Sequence, residues 1–211
     1  MTELVFILDR SGSMSGLEQD TIGGFNSMIR KQKQQEGAAL VSTVLFNNHC
    51  QVLHDRVPLE QVQPMTEHEY YACGTTALLD AIGGAIKHIG LVHKYARPED
   101  RPEKTLFVIT TDGMENASHK YTYEKVRQMI AHEKEKHGWE FLFLGANIDA
   151  AKEARRFGIE ADRAADYHCD GRGTALNYEV IGDVVANVRA CRPVDRNWKA
   201  RIDADYQKRG K

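Results

Sequence analysis

Residues 4–13 read Leu-Val-Phe-Ile-Leu-Asp-Arg-Ser-Gly-Ser, an apolar run that stops in an Asp-x-Ser-x-Ser cluster. Asp9, Ser11 and Ser13 offer one carboxylate and two hydroxyls. That is an oxygen-only donor set, suited to a hard cation such as Mg²⁺ and without a soft ligand that would select zinc or copper. A second oxygen-bearing segment, Cys73-Gly74-Thr75-Thr76-Ala77-Leu78-Leu79-Asp80, leads from a Gly-Thr loop into a helical pattern. A third, Lys104 to Thr111, is another short aliphatic run and ends in Asp112-Gly113. Runs this short and this apolar read as strands buried on both faces of a parallel sheet. Their polar ends then lie at the carboxyl edge, where ligands of open α/β sheets sit.

Asp, Ser, Ser, then Thr, then Asp is the ordered constellation of a metal-ion-dependent adhesion site, and the chain resembles a von Willebrand factor type A domain of the bacterial intracellular kind. Asp9, Ser11 and Ser13 match the family's Asp-x-Ser-x-Ser motif, and Asp112 matches its third element. In the family's Gly-Gly-Thr-x-Leu-x-Asp-Ala loop the metal threonine lies four residues before the acid, so Asp80 points to Thr76. Thr75 replaces the motif's second glycine and is the alternative hydroxyl. The resemblance implies that Ser11, Ser13 and Thr76 touch the ion directly while Asp9 and Asp112 act mainly through water. It further implies a protein-binding module for Mg²⁺ or Mn²⁺, completed by a Glu or Asp carboxylate of a partner.

The elements that must position these residues alternate. A helix is expected over Ser15–Gln35, a second strand over Ala39–Phe46 and a third over Cys50–His54, joined by an Asn47-Asn48 hairpin that makes the third strand a short antiparallel edge. The stretch from Pro58 to Tyr71 reads as loop with one helical turn. Leu78, Leu79, Ile82, Ile86 and Ile89 form a helical stripe ending before Arg97-Pro98. Further helices are expected over Tyr123–Lys136, Ala150–Phe157 and Thr174–Val188, with strands over Trp139–Leu144 and Ala164–Tyr167. The prediction is a Rossmann-like, doubly wound α/β fold: a mainly parallel sheet of about six strands with helices on both faces. One domain spans 1–190, and the mixed charges of 191–211 read as a solvated extension, a short helix or disorder.

At 211 residues, with 42% hydrophobic and 27% charged residues, the chain can build one sizeable core. A net charge of −2 gives no bulk attraction to nucleic acid or to an anionic membrane. No segment approaches a membrane span, and a first strand starting near residue 3 leaves no room for a leader. Cys50, Cys73, Cys169 and Cys191 are widely spaced, which argues against a disulfide framework and for a reducing cytoplasm. His88, His93, His132 and His137 fall at five-residue spacing and read as surface residues. Glu115 and Asn116 follow Asp112 where a loop near the metal is expected, with an N-cap role for Asn116 or Ser118 as the alternative, and Met14 and Met114 flank the same crevice.

Rival functions find weaker support. A Mg-dependent hydrolase or phosphotransferase of the dehalogenase-like type needs a second carboxylate where Ser11 stands. There is no Gly-x-Ser-x-Gly elbow, Walker-type loop or dinucleotide fingerprint. A metal-free scaffold that keeps the oxygens only for loop hydrogen bonds is the remaining alternative. The oligomeric state is not legible.

Overall fold

The computed structural model describes residues 1–210. Six strands form one sheet in the order β3-β2-β1-β4-β5-β6. They are β1 (Thr2–Asp9), β2 (Ala39–Phe46), β3 (Cys50–Pro58), β4 (Lys104–Thr111), β5 (Glu140–Ala146) and β6 (Ala164–Tyr167). All neighbours run parallel except β3, which pairs antiparallel with β2 at the edge. The β2–β3 pairing shifts register around Thr43, and β3 runs four residues beyond the expected His54 to Pro58. Its mixed polar and apolar sequence and largely exposed side chains, as befits an edge, hid that length.

Alternation along β1 divides the core. Leu4, Phe6 and Leu8 face a layer that includes Phe25 and Met28, while Val5 and Ile7 face Ile82, Phe107 and Val126. The first layer is covered by α1 (Glu18–Lys33), α5 (Gly171–Arg189) and α6 (Ala200–Arg209). The second is covered by α2 (Leu78–Tyr95), α3 (Tyr123–His137) and α4 (Ala150–Arg156). The helices end on recognisable signals: Thr122 caps α3 through Lys125 N, and Gly138 closes it in the left-handed conformation at φ 63°.

The carboxyl-terminal segment departs from expectation. Val194, Trp198 and Ile202 are buried in the first core layer, and Trp198 Nε1 donates to Asp162 O at 2.8 Å. The 191–211 segment is therefore not a solvated extension over its described residues; α6 docks on the domain, and Lys211 lies outside the described residues. His93 is likewise not a surface residue. It is half-buried beside Trp139 and within 3.2 Å of Glu3 Oε2, whereas His88, His132 and His137 are exposed. No helix among the described residues is long and apolar enough to cross a membrane.

Candidate metal site at the sheet's carboxyl edge

Strand order fixes where a site can form. From β1 the chain builds outward to β2 on one side, whereas β4 pairs on the other, so the loops after β1 and β4 part company. Such a switch point opens a crevice at the carboxyl ends of the strands. Asp9 ends β1, and Asp112 immediately follows β4. The Gly12–Met14 turn rises from β1, and the 73–77 loop is sewn to it by Cys73 N donating to Arg10 O at 2.9 Å and Gly12 N to Gly74 O at 3.0 Å.

Within the crevice the hydroxyls and carboxylates form one connected set. Asp9 Oδ1 accepts from Ser11 N at 2.7 Å, and Asp9 Oδ2 accepts from Thr111 Oγ1 at 2.6 Å. Ser13 Oγ donates to Asp112 Oδ1 at 2.5 Å and lies 3.0 Å from Ser11 Oγ. Thr76 reaches the same place: a Cβ on Gly113 would sit 3.7 Å from both Ser13 Oγ and Thr76 Oγ1. Thr76 is buried, whereas Thr75 is exposed to solvent. Asp9, Ser11, Ser13, Thr76 and Asp112 thus converge from three separate segments of the chain.

Asp9 and Asp112 are 1% and 2% exposed, and neither forms an ion pair with a side chain among the described residues. Burial pushes both carboxyls above the usual range, against the hydrogen bonds that hold them down. Arg10, the nearest cation in sequence, turns away; its Nη1 donates to Glu69 O at 2.6 Å and its guanidinium lies over the Tyr71 ring. Two buried acids with clustered hydroxyls and no side-chain counter-charge fit a small divalent cation. Among the described residues no group of three His, Cys, Asp or Glu side chains is gathered for a metal, so the donor set here rests on hydroxyl oxygens.

Several supporting contacts escaped the sequence. Asp80, the motif's acid, faces the 119–121 backbone and accepts from His119, Lys120 and Tyr121 N at 3.1, 2.9 and 2.9 Å. Glu115 is a brace. Its carboxylate accepts from Leu79 N at 2.8 Å in the first turn of α2, and from Ala117 N and Ser118 N at 2.8 and 2.7 Å. Asn116 Oδ1 accepts from Thr76 N at 2.9 Å, and Asn116 N donates to Thr76 O at 3.0 Å. These contacts fix Thr76 relative to Asp112. Cys169, just past β6, brings a thiol 3.6 Å from Asp112 Oδ2. Burial lifts that thiol to about 12, so it stays protonated and serves as a donor to the acid. Met14 is buried beneath its loop, and Met114 is 56% exposed beside the crevice, as is Tyr71 at 50%.

No protein-family model and no curated protein sequence matches this chain. Solved structures do. The von Willebrand factor domain of the type V pili tip protein Mfa5 from Porphyromonas gingivalis aligns over 87% of this chain and 94% of its own, at 10% identity and a TM-score of 0.62. A von Willebrand factor type A protein from Catenulispora acidiphila aligns over 88% of this chain and 42% of its own, at 14% identity and a TM-score of 0.58. Proximal thread matrix protein 1 from the mussel byssus, solved with zinc in its metal-ion-dependent adhesion site, aligns over 88% and 46% at 12% identity and a TM-score of 0.57. The chain spans less than half the length of the last two. At such identities the likeness speaks for architecture alone, and with the strand order above it gives a plain result: this chain has the von Willebrand factor type A fold.

Proposed function

We propose that the chain is a metal-dependent protein-binding module. Asp9, Ser11, Ser13, Thr76 and Asp112 would hold one Mg²⁺ or Mn²⁺ ion, which supplies an electrophilic centre for an outside carboxylate. The observation that carries this reading is the convergence of three hydroxyls and two buried, unpaired acids on one crevice. Neutral hydroxyls compensate a divalent charge poorly, so a Glu or Asp of a partner protein completes the set through a charge-assisted contact. Around it, exposed Met114 and Tyr71 offer adaptable apolar area, and the 66–75 and 114–121 loops select the partner by shape. The solved relative with a metal-occupied adhesion site supports the same reading by analogy of fold.

In this reading the module is not an enzyme. Each serine hydroxyl at the crevice faces another serine or an acid rather than a histidine, and Ser13 gives its proton to Asp112. The four cysteines are free thiols, in keeping with a cytoplasmic setting. Capture of partners from a lysate in Mg²⁺, in chelator, and with Asp9→Ala tests the reading. Capture that depends on Mg²⁺ and fails in the other two supports it; equal capture in all three removes the metal bridge.

A further inference from the structure

A second concavity lies on the flank of the domain, between α2 and α3, with a volume of about 770 Å³. Its lower end is lined by Arg101 and Pro102, ahead of β4, and by Trp139, ahead of β5, so it reaches the edge of the sheet opposite the metal crevice. Ile86, Met129 and Trp139 form an apolar floor. Gly90 keeps that floor open: a Cβ there would meet Glu133 Oε1 at 3.5 Å and Trp139 Cη2 at 4.0 Å. Leu91 stands at the lip, 44% exposed.

The rim is one-signed. Lys87, Lys94, Arg101 and Lys125 are all exposed around the groove, and none of the four forms an ion pair among the described residues. The one acid in the lining is Glu133, 13% exposed and turned to His137 at 3.9 Å. What sets the groove apart is the ratio of four cations to one acid around a single concavity, since unpaired cations also occur elsewhere on the surface. In a chain whose net charge is −2, a groove with four unanswered cations over an apolar floor is a local arrangement, not a by-product of bulk charge.

We infer that this groove docks an acidic amphipathic segment of a partner protein, apolar side chains against Leu91 and Met129 above the buried Ile86 and Trp139, and carboxylates against the rim. An amphipathic helix laid in a groove uses this division of labour. Single-stranded nucleic acid is disfavoured because it needs an exposed aromatic face for stacking, and Trp139 is 4% exposed. A membrane surface is disfavoured because the apolar residues line a concave floor rather than a protruding face. The site shares no residue with the metal crevice, so it stands or falls separately from the metal reading.

The test is fluorescence anisotropy of a labelled Glu/Leu peptide of helical amphipathic spacing, titrated with the full chain. Binding should weaken with added salt, persist in EDTA, and fall by about tenfold or more in Lys87→Glu/Lys94→Glu, where two rim charges are reversed. Gly90→Leu, which fills the floor without changing charge, should also abolish it. Melting curves establish that both variants are folded. Absence of binding at low salt, indifference to both substitutions, or loss in EDTA overturns the inference. So does displacement of the peptide by oligo-dT or phosphatidylserine vesicles at lower concentration than by unlabelled peptide.

Discussion

Replacing Glu115 with alanine removes one carboxylate that accepts from Leu79, Ala117 and Ser118 N and from Ser118 Oγ, all at 2.7–2.8 Å. The half-buried setting lets water recover part of the loss. Hydrogen bonds to a charged group contribute about 1.5–3 kcal/mol each when fully buried, so the set is worth roughly 2–4 kcal/mol here, including the favourable position of an anion at the start of α2. For a domain of this size that converts to a drop in Tm of about 10 °C. Glu115→Gln keeps an acceptor and loses the charge, and should fall about half as far. Calorimetry of the three proteins in chelator isolates this effect from any metal. A Glu115→Ala protein melting within a degree of the wild type would refute the claim that this side chain braces the loop that holds Thr76.

Adjacent glycines in α1 should respond oppositely to alanine. At Gly23 nothing lies within 4 Å of a new Cβ, so helix propensity alone should stabilise by about 0.5–1 kcal/mol. At Gly24 the Cβ would sit 2.3 Å from the ring of buried Tyr178, and overpacking of about 1–3 kcal/mol should outweigh that gain; urea unfolding of both variants reads the sign. Trp198→Ala should cost about 3–5 kcal/mol, because the side chain is 9% exposed and fills the core under α6; a near-neutral result would return the tail to solvent. His54, stacked on Phe25, has its pKa lowered from 6.5 by burial. The unfolded chain therefore takes up a proton that the folded protein refuses, and stability is lost as pH falls from about 6.5 toward the lower folded value. His54→Gln should flatten thermal stability across that window.

Much of this architecture was legible for a physical reason: strands buried on both faces leave uninterrupted apolar runs, and β1 and β4 each stop at an acid. Asp9 and Asp112 stood out because an acid directly after such a run has only the carboxyl edge to occupy. Thr76 followed from the resemblance, whose loop motif sets a threonine four residues before the acid matched by Asp80, although Asp80 itself turns to backbone amides. The brace at Glu115 was hidden because its partners are main-chain groups of a distant helix, which leave no mark on side-chain pattern. Cys169 was hidden because only the return of the chain after β6 carries it to Asp112. The tail did carry a signal. Val194, Trp198 and Ile202 are three large apolar residues within nine positions, but the surrounding Arg, Lys and Asp residues masked them, and only Ile202 lies in α6.

The central claim, that five side chains from three segments hold one divalent cation, is tested most directly by titrating Mg²⁺ and Mn²⁺ into the metal-stripped chain by calorimetry, beside Thr76→Ala and Thr75→Ala. The account predicts one bound ion per chain, binding strongly weakened in Thr76→Ala, and little change in Thr75→Ala. A wild-type chain that takes up neither ion, or a Thr76→Ala chain that binds as well as the wild type, would contradict it.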